Sequence, residues 1–244
     1  MNKVRLIKIG SIIGIIVVLL SLEFYKNVYA VTPSVFKNYI METAAGSESL
    51  PLNGKTIVLD PGHGGNDDGT TSIVGTPERT LTLETAKVVR EKLENAGATV
   101  IMTRSDDSFL ALEQRSQISN QNQADAFISF HYNWLDDRTV KGLTDFYYQE
   151  SRDNTLASDI LNEVVKTTGL ENKGTSFNNL NVLRNNSQPS TLIELGFVSN
   201  KQEDSVVESA AYRDQVAQGI YQGLIDYFLN QNNNIGNPGK NVID

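Results

Sequence analysis

The stretch Thr56-Ile57-Val58-Leu59-Asp60-Pro61-Gly62-His63-Gly64-Gly65 decides how the rest of the chain is read. An apolar run leads into it, and glycine-rich backbone follows through Asn66-Asp67-Asp68-Gly69. The pattern predicts a buried strand ending in a loop too tight for side chains, with one imidazole at its mouth. Glycine supplies the φ > 0 conformations and close backbone approach that such a loop needs. In open α/β sheets, sites form where strands end and loops begin. His63 is therefore the first candidate for chemistry, and the rest of the chain must supply its partners.

Outward from this loop the sequence alternates. Strands are expected over Lys55–Asp60, Thr99–Thr103, Ala126–Phe130, Leu143–Tyr148 and Thr191–Leu195, with a short one at Leu180–Leu183. Helices are expected over about Pro77–Asn95, Leu110–Gln121, Asn154–Thr168 and Ser205–Asn230. Strands alternating with helices of this length imply an α/β fold: one domain, a mixed and mostly parallel sheet of about six strands, and helices on both faces. The runs at 56–59, 126–130 and 191–195 are nearly all apolar, as central strands should be.

The chain has two histidines, His63 and His131, and no cysteine. Thiolate metal sites, thiol nucleophiles and disulfides are thereby excluded together. His131 ends Phe127-Ile128-Ser129-Phe130-His131-Tyr132-Asn133, again at the C-terminal end of an apolar strand. Two central strands deliver the only imidazoles to the same kind of position, which points to a shared metal site. Two imidazoles and one carboxylate make a common catalytic zinc set.

Glu78 and Glu84 are the main carboxylates between the histidines, with Asp67 and Asp68 as alternatives that also read as turn-formers beside Gly69. At about 100° per residue, Ala86, Val89, Leu93 and Ala96 form the sheet-facing stripe of the first helix. Glu78 falls roughly 60–80° from Ala86 and Glu84 about 160° away, so Glu78 is the expected ligand. It follows Thr76-Pro77, which reads as an N-cap and first helical residue. Glu194, inside Thr191-Leu192-Ile193-Glu194-Leu195-Gly196-Phe197, is a carboxylate in an apolar strand, costly unless paired or functional. It can act as a general base towards water and then as an acid to a leaving amine. The structural alternative is an ion pair with Arg184 or Arg104.

Composition narrows the partners. Net charge is −8, and because residues 1–30 are net basic (Lys3, Arg5, Lys8 and Lys26 against Glu23), the remainder is more acidic still. That argues against nucleic acid, whose phosphates call for a basic face. Residues 1–30 read as an export signal: a basic start, an uncharged run from Ile9 to Leu22, then Val28-Tyr29-Ala30. The run is short for a span of about 20 apolar residues, so a cleaved signal is favoured over an uncleaved anchor. Membrane contact is expected only through this segment. Residues 31–53 read as a spacer, 54–230 as the catalytic domain and 231–244 as a disordered tail.

Four segments, in order, resemble the zinc-dependent N-acetylmuramoyl-L-alanine amidases of bacterial cell-wall turnover. They are Ile57 to Gly65, Glu78-Arg79, Ile128 to Asn133, and Leu192-Ile193-Glu194-Leu195-Gly196-Phe197-Val198-Ser199-Asn200. The similarity runs from about Lys55 to Phe228, with Arg104 and Arg115 where arginines are usual. The resemblance implies zinc (Zn2+) held by His63, Glu78 and His131, with Glu194 as the catalytic glutamate. It implies peptidoglycan as substrate, cut between the lactyl group of N-acetylmuramic acid and L-alanine, by an exported enzyme at the wall or the outer membrane face. Asn133 and Arg184 are the expected substrate-binding residues, and positioning is left to the N-terminal segment or a protein activator. Tyr132 and Trp134 replace smaller residues and are expected to shape the groove. Some members carry an inhibitory helix; Lys141–Gly174 is too short for one, so an open site is expected. Another peptidoglycan-directed zinc hydrolase and a non-catalytic wall-binding module remain as alternatives.

Overall fold

Among the described residues, six strands form one sheet in the order β2-β1-β3-β6-β4-β5. They are β1 (Thr56–Pro61), β2 (Thr99–Met102), β3 (Ala126–Asn133), β4 (Leu143–Tyr147), β5 (Asn172–Phe177) and β6 (Ser190–Phe197). The computed structural model describes residues 50–236, with side chains to 231. The expectations for residues 1–49 and for the tail beyond Gly236 lie outside the described residues. The pairs β1–β2, β1–β3, β3–β6 and β4–β5 are parallel, and β4 alone runs antiparallel to β6. This is the mixed, mainly parallel sheet the alternating pattern predicts.

The central strands are apolar on both faces because helices cover both. Ile57, Leu59, Ile128, Phe130, Ile193 and Leu195 pack under α1 (Glu78–Asn95), α3 (Glu150–Thr168) and α6 (Ala210–Gly236). Val58, Phe127 and Leu192 pack on the other face with Val182, Leu183 and Ile118, from α2 (Leu112–Gln121) and the short α4 (Asn181–Arg184). The alternation along each strand then sets the site. Asp60, Ser129, His131 and Glu194 fall on the α2/α4 face, at the C-terminal ends of the three central strands. Two helical glycines, Gly219 and Gly223, let α6 approach α3 closely, since an added Cβ would lie 2.5 and 2.6 Å from the Cα atoms of Val164 and Ile160.

Three expectations are corrected. Leu180–Leu183 is not a strand: α4 forms at Asn181–Arg184, because Val182 and Leu183 turn into the core. The sixth strand is Asn172–Phe177, polar and mostly exposed, so an edge position leaves it no apolar alternation to be read. The last expected helix is two, α5 (Lys201–Val207) and α6, broken at Glu208–Ser209. Asn200 caps α5, its side chain accepting from the N–H groups of Gln202 and Glu203. α6 continues to Gly236, past the expected end at Asn230, because extending a formed helix adds a hydrogen bond for each residue fixed.

Candidate metal centre

His63 sits at φ 62°, a left-handed conformation uncommon outside glycine. Such a residue persists only when its surroundings over-determine it, and two buried arginines do so here. Arg115 donates to Pro61 O at 2.8 Å and to His63 O at 2.7 Å, and pairs with Asp60 Oδ1 at 2.9 Å. Arg104 donates to Pro61 O at 2.9 Å and to Gly62 O at 2.8 Å. Asp60 is itself held by the hydroxyls of Thr103 and Ser129, at 2.6 and 2.8 Å. The glycine loop is thus anchored by its carbonyls, and this network replaces the suggested ion pair between Arg104 and Glu194.

The first helix brings Glu78 to both imidazoles. Its Oε2 lies 3.2 Å from His63 Nε2 and its Oε1 lies 3.0 Å from His131 Nδ1. Oε2 also accepts from Thr70 N–H at 2.9 Å, and Oε1 from Tyr132 N–H at 3.0 Å. The rotation argued from helical periodicity holds, although the helix begins one residue later than expected. Pro77 is the N-cap, without a side-chain cap bond, and Glu78 is the first helical residue. Glu84 instead faces outward, 3.1 Å from Arg213. Asp67 does two things: its Oδ1 accepts from Gly69 N–H at 3.1 Å, and its Oδ2 lies 3.0 Å from His63 Nδ1.

His63, Glu78 and His131 each offer one ligand atom, all within 4.8 Å of one another. The donor set fits zinc: two neutral imidazoles and a carboxylate, buried at Glu78 and one-fifth exposed at each histidine. Burial alone would raise the Glu78 carboxyl, but its bonds to His131 and His63 hold it well below the usual carboxylate range. Burial alone would lower both histidines, yet Glu78 raises each of them above its ordinary value, with Asp67 helping at His63 and Glu194 at His131. Two loop glycines are required by space. A Cβ on Gly62 would lie 2.4 Å from the His131 ring, and one on Gly69 2.6 Å from Glu78 Oε2.

Glu194 is the register partner of His131 across β3 and β6, so the two side chains stand side by side, about 4.8 Å apart at the backbone. Among the described residues no arginine pairs with it, and its Oε2 is buried without a hydrogen-bond partner. Burial, with the charge of Glu78 adding and the histidines opposing, pushes its pKa up to about 7. A cavity of about 350 Å³ opens beside the cluster, lined by Phe109, Leu112, Leu180, Val182 and Leu192 together with Arg115.

The other expected residues are placed differently. Asn133 ends β3, and its Oδ1 accepts from Trp134 N–H at 2.8 Å. Arg184 turns to Asn179, donating to its O and Oδ1 at 3.2 and 2.9 Å, and does not line the cavity. Tyr132 does not shape the groove: it points through the sheet into the core, its hydroxyl 2.7 Å from Thr85 Oγ1. The Asp60–Arg115–Ser129–Thr103 network was not singled out from sequence. Its signal was an aspartate at the end of an apolar strand, as unusual as Glu194.

The profile described as N-acetylmuramoyl-L-alanine amidase, Amidase_3, matches residues 57–226, and the chain belongs to this family. YrvJ of Bacillus subtilis, provisionally named for the same activity, is 45% identical over 189 residues, which are 78% of this chain and 36% of that one. The chain thus spans about a third of that relative's length. The catalytic domain of the amidase CwlV from Bacillus (Paenibacillus) polymyxa superposes with TM-score 0.69 at 31% identity, covering 71% of this chain and 98% of that domain. The CwlD amidase of Clostridioides difficile, solved in complex with the GerS lipoprotein, gives TM-score 0.69 at 30% identity, over 72% and 99% of the two chains.

Proposed function

We propose that the protein is a zinc-dependent peptidoglycan amidase that hydrolyses the bond between N-acetylmuramic acid and L-alanine. The observation that carries this is the convergence of His63, Glu78 and His131 beside the buried Glu194, whose Oε2 has no hydrogen-bond partner among the described residues. When bound, zinc would supply Lewis acidity to the scissile carbonyl and lower the pKa of water. His63, Glu78 and His131 would hold it. Glu194, poised near neutrality, takes a proton from the attacking water and returns it to the leaving amine. Arg104 and Arg115 keep the histidine loop rigid, so the ligands stay ordered while substrate enters.

The proposed site of action lies outside the cytoplasmic membrane. The basic and then apolar N-terminal segment supports this, and it can serve as a signal or an anchor. That the CwlD amidase forms a complex with the GerS lipoprotein supports a protein partner for this chain, to which we assign the role of activator. The deciding experiment is digestion of purified peptidoglycan with and without a chelator, with products identified by mass spectrometry. Release of intact stem peptides beginning with L-alanine, abolished by chelation and restored by zinc, is the expected result. Cleavage within the stem peptide, or chelator-resistant release, refutes the reading.

A further inference from the structure

A second cleft, of about 370 Å³, has walls that include Trp134, Arg138, Thr71, Ile73, Ser199 and Lys201. Both walls are continuous with the metal cluster. Thr71 follows Thr70, whose N–H donates to Glu78, and Trp134 is three residues beyond His131. At 3.3 Å per extended residue, Trp134 stands about 10 Å from His131. That is too far to touch the reacting amide and close enough for the next unit of a polymer.

Arg138 stacks over the indole ring at 4.4 Å, and the backbone carrying both residues is held: the Trp134 backbone N–H donates to Asn133 Oδ1 at 2.8 Å, and Asn200 Nδ2 donates to Arg138 O at 2.9 Å. Leu135 N–H donates to the buried Ser199 hydroxyl at 3.1 Å. Trp134 nonetheless leaves 38% of its surface exposed. A part-exposed aromatic ring beside the Thr71 hydroxyl and the cations of Arg138 and Lys201 matches a ligand with one apolar face and a rim of hydroxyl and amide groups. A pyranose has that form; a peptide side chain fits the Leu- and Phe-walled cavity better. The two clefts thus differ in the way the two halves of the substrate differ.

We infer that the Trp134 cleft is a saccharide subsite, seating an N-acetylhexosamine ring of the glycan strand beside the cleavage point. The inference rests on the amidase reading. Trp134 is the only tryptophan in the chain, so its emission reports this cleft alone. Titration of the full chain with tetra-N-acetylchitotetraose, which has the sugar rings but no lactyl amide, is expected to give a saturable emission change. The change persists in Glu194→Gln and weakens severalfold in Arg138→Ala. In kinetics, Trp134→Ala raises KM for polymeric glycan strands about tenfold with kcat within about twofold, and leaves cleavage of a single-sugar muramoyl peptide unchanged. No emission change at millimolar tetramer, a response to inorganic phosphate alone, or an equal loss on both substrates overturns the subsite. A wild-type chain that binds the tetramer but cleaves neither substrate removes the amidase reading and leaves the subsite standing.

Discussion

Replacing Glu194 by glutamine separates its chemical role from its cost to the fold. The native carboxyl has a pKa of about 7, against an ordinary value of 4.5. Because the folded state holds its proton more tightly than the unfolded state, Glu194 weakens folding as pH rises. Below about pH 4.5 both states are protonated and wild type and variant should be equally stable. Between 4.5 and 7 the wild type alone loses about 1.4 kcal/mol per pH unit, and above 7 the difference levels off near 3 kcal/mol. The glutamine variant is then the more stable protein at pH 8, and the less active one. Loss of general acid–base transfer lowers kcat about 10²–10⁴-fold with zinc still bound. The assay is a pair of urea unfolding series on chelated protein between pH 4 and 8, with hydrolysis of a muramoyl peptide measured on the zinc-loaded protein. Taking the difference between variants cancels the titration of groups remote from Glu194 and keeps the part of the His131 titration that Glu194 itself shifts. Parallel stability curves across that range would show that Glu194 is not held neutral by its surroundings. Retained activity would show that it moves no proton.

The metal ligands can be separated by stoichiometry: Glu78→Ala should lose zinc by elemental analysis, whereas Glu84→Ala, which breaks only the surface contact to Arg213, should retain one per chain. Equal retention would place the ligand elsewhere. Gly62→Ala puts a methyl 2.4 Å from the His131 ring and 2.8 Å from Phe130 O, which as β3 backbone cannot yield. Zinc affinity is expected to fall about 10–100-fold, and a competition titration giving wild-type affinity refutes this. Asp60→Ala leaves the buried Arg115 guanidinium without its carboxylate and should cost about 3–5 kcal/mol. A urea midpoint within about 1 kcal/mol of wild type would mean that the loop carbonyls alone satisfy the arginine.

The strands that place the histidines were legible because they are buried on both faces: Val58, Phe127 and Leu192 face one layer and Ile57, Ile128 and Ile193 the other, leaving few polar residues to blur the pattern. β5 was not legible for the converse reason. At the sheet edge Asn172–Phe177 is paired on one side only and wet on both faces, so its conformation is set by β4 rather than by its own composition. Leu180 and Leu183 illustrate a related ambiguity, since a short apolar segment reads equally as a strand or a helical turn until its neighbours choose.

The sequence by itself determined which side chains could do chemistry: two histidines, one glutamate turned to the sheet by helical periodicity, and one glutamate placed where an apolar strand has no use for it. These are local facts, fixed by side-chain type and by the 3.6 and 2.0 periods of helix and strand. Only the tertiary structure decided how they meet. The register of β3 on β6 sets Glu194 beside His131. Arg104 and Arg115, from distant segments, hold His63 at positive φ by the carbonyls of Gly62 and of His63 itself. The same non-local geometry sent Tyr132 into the core and left Trp134 in a cleft, because a side chain's partners lie far along the chain.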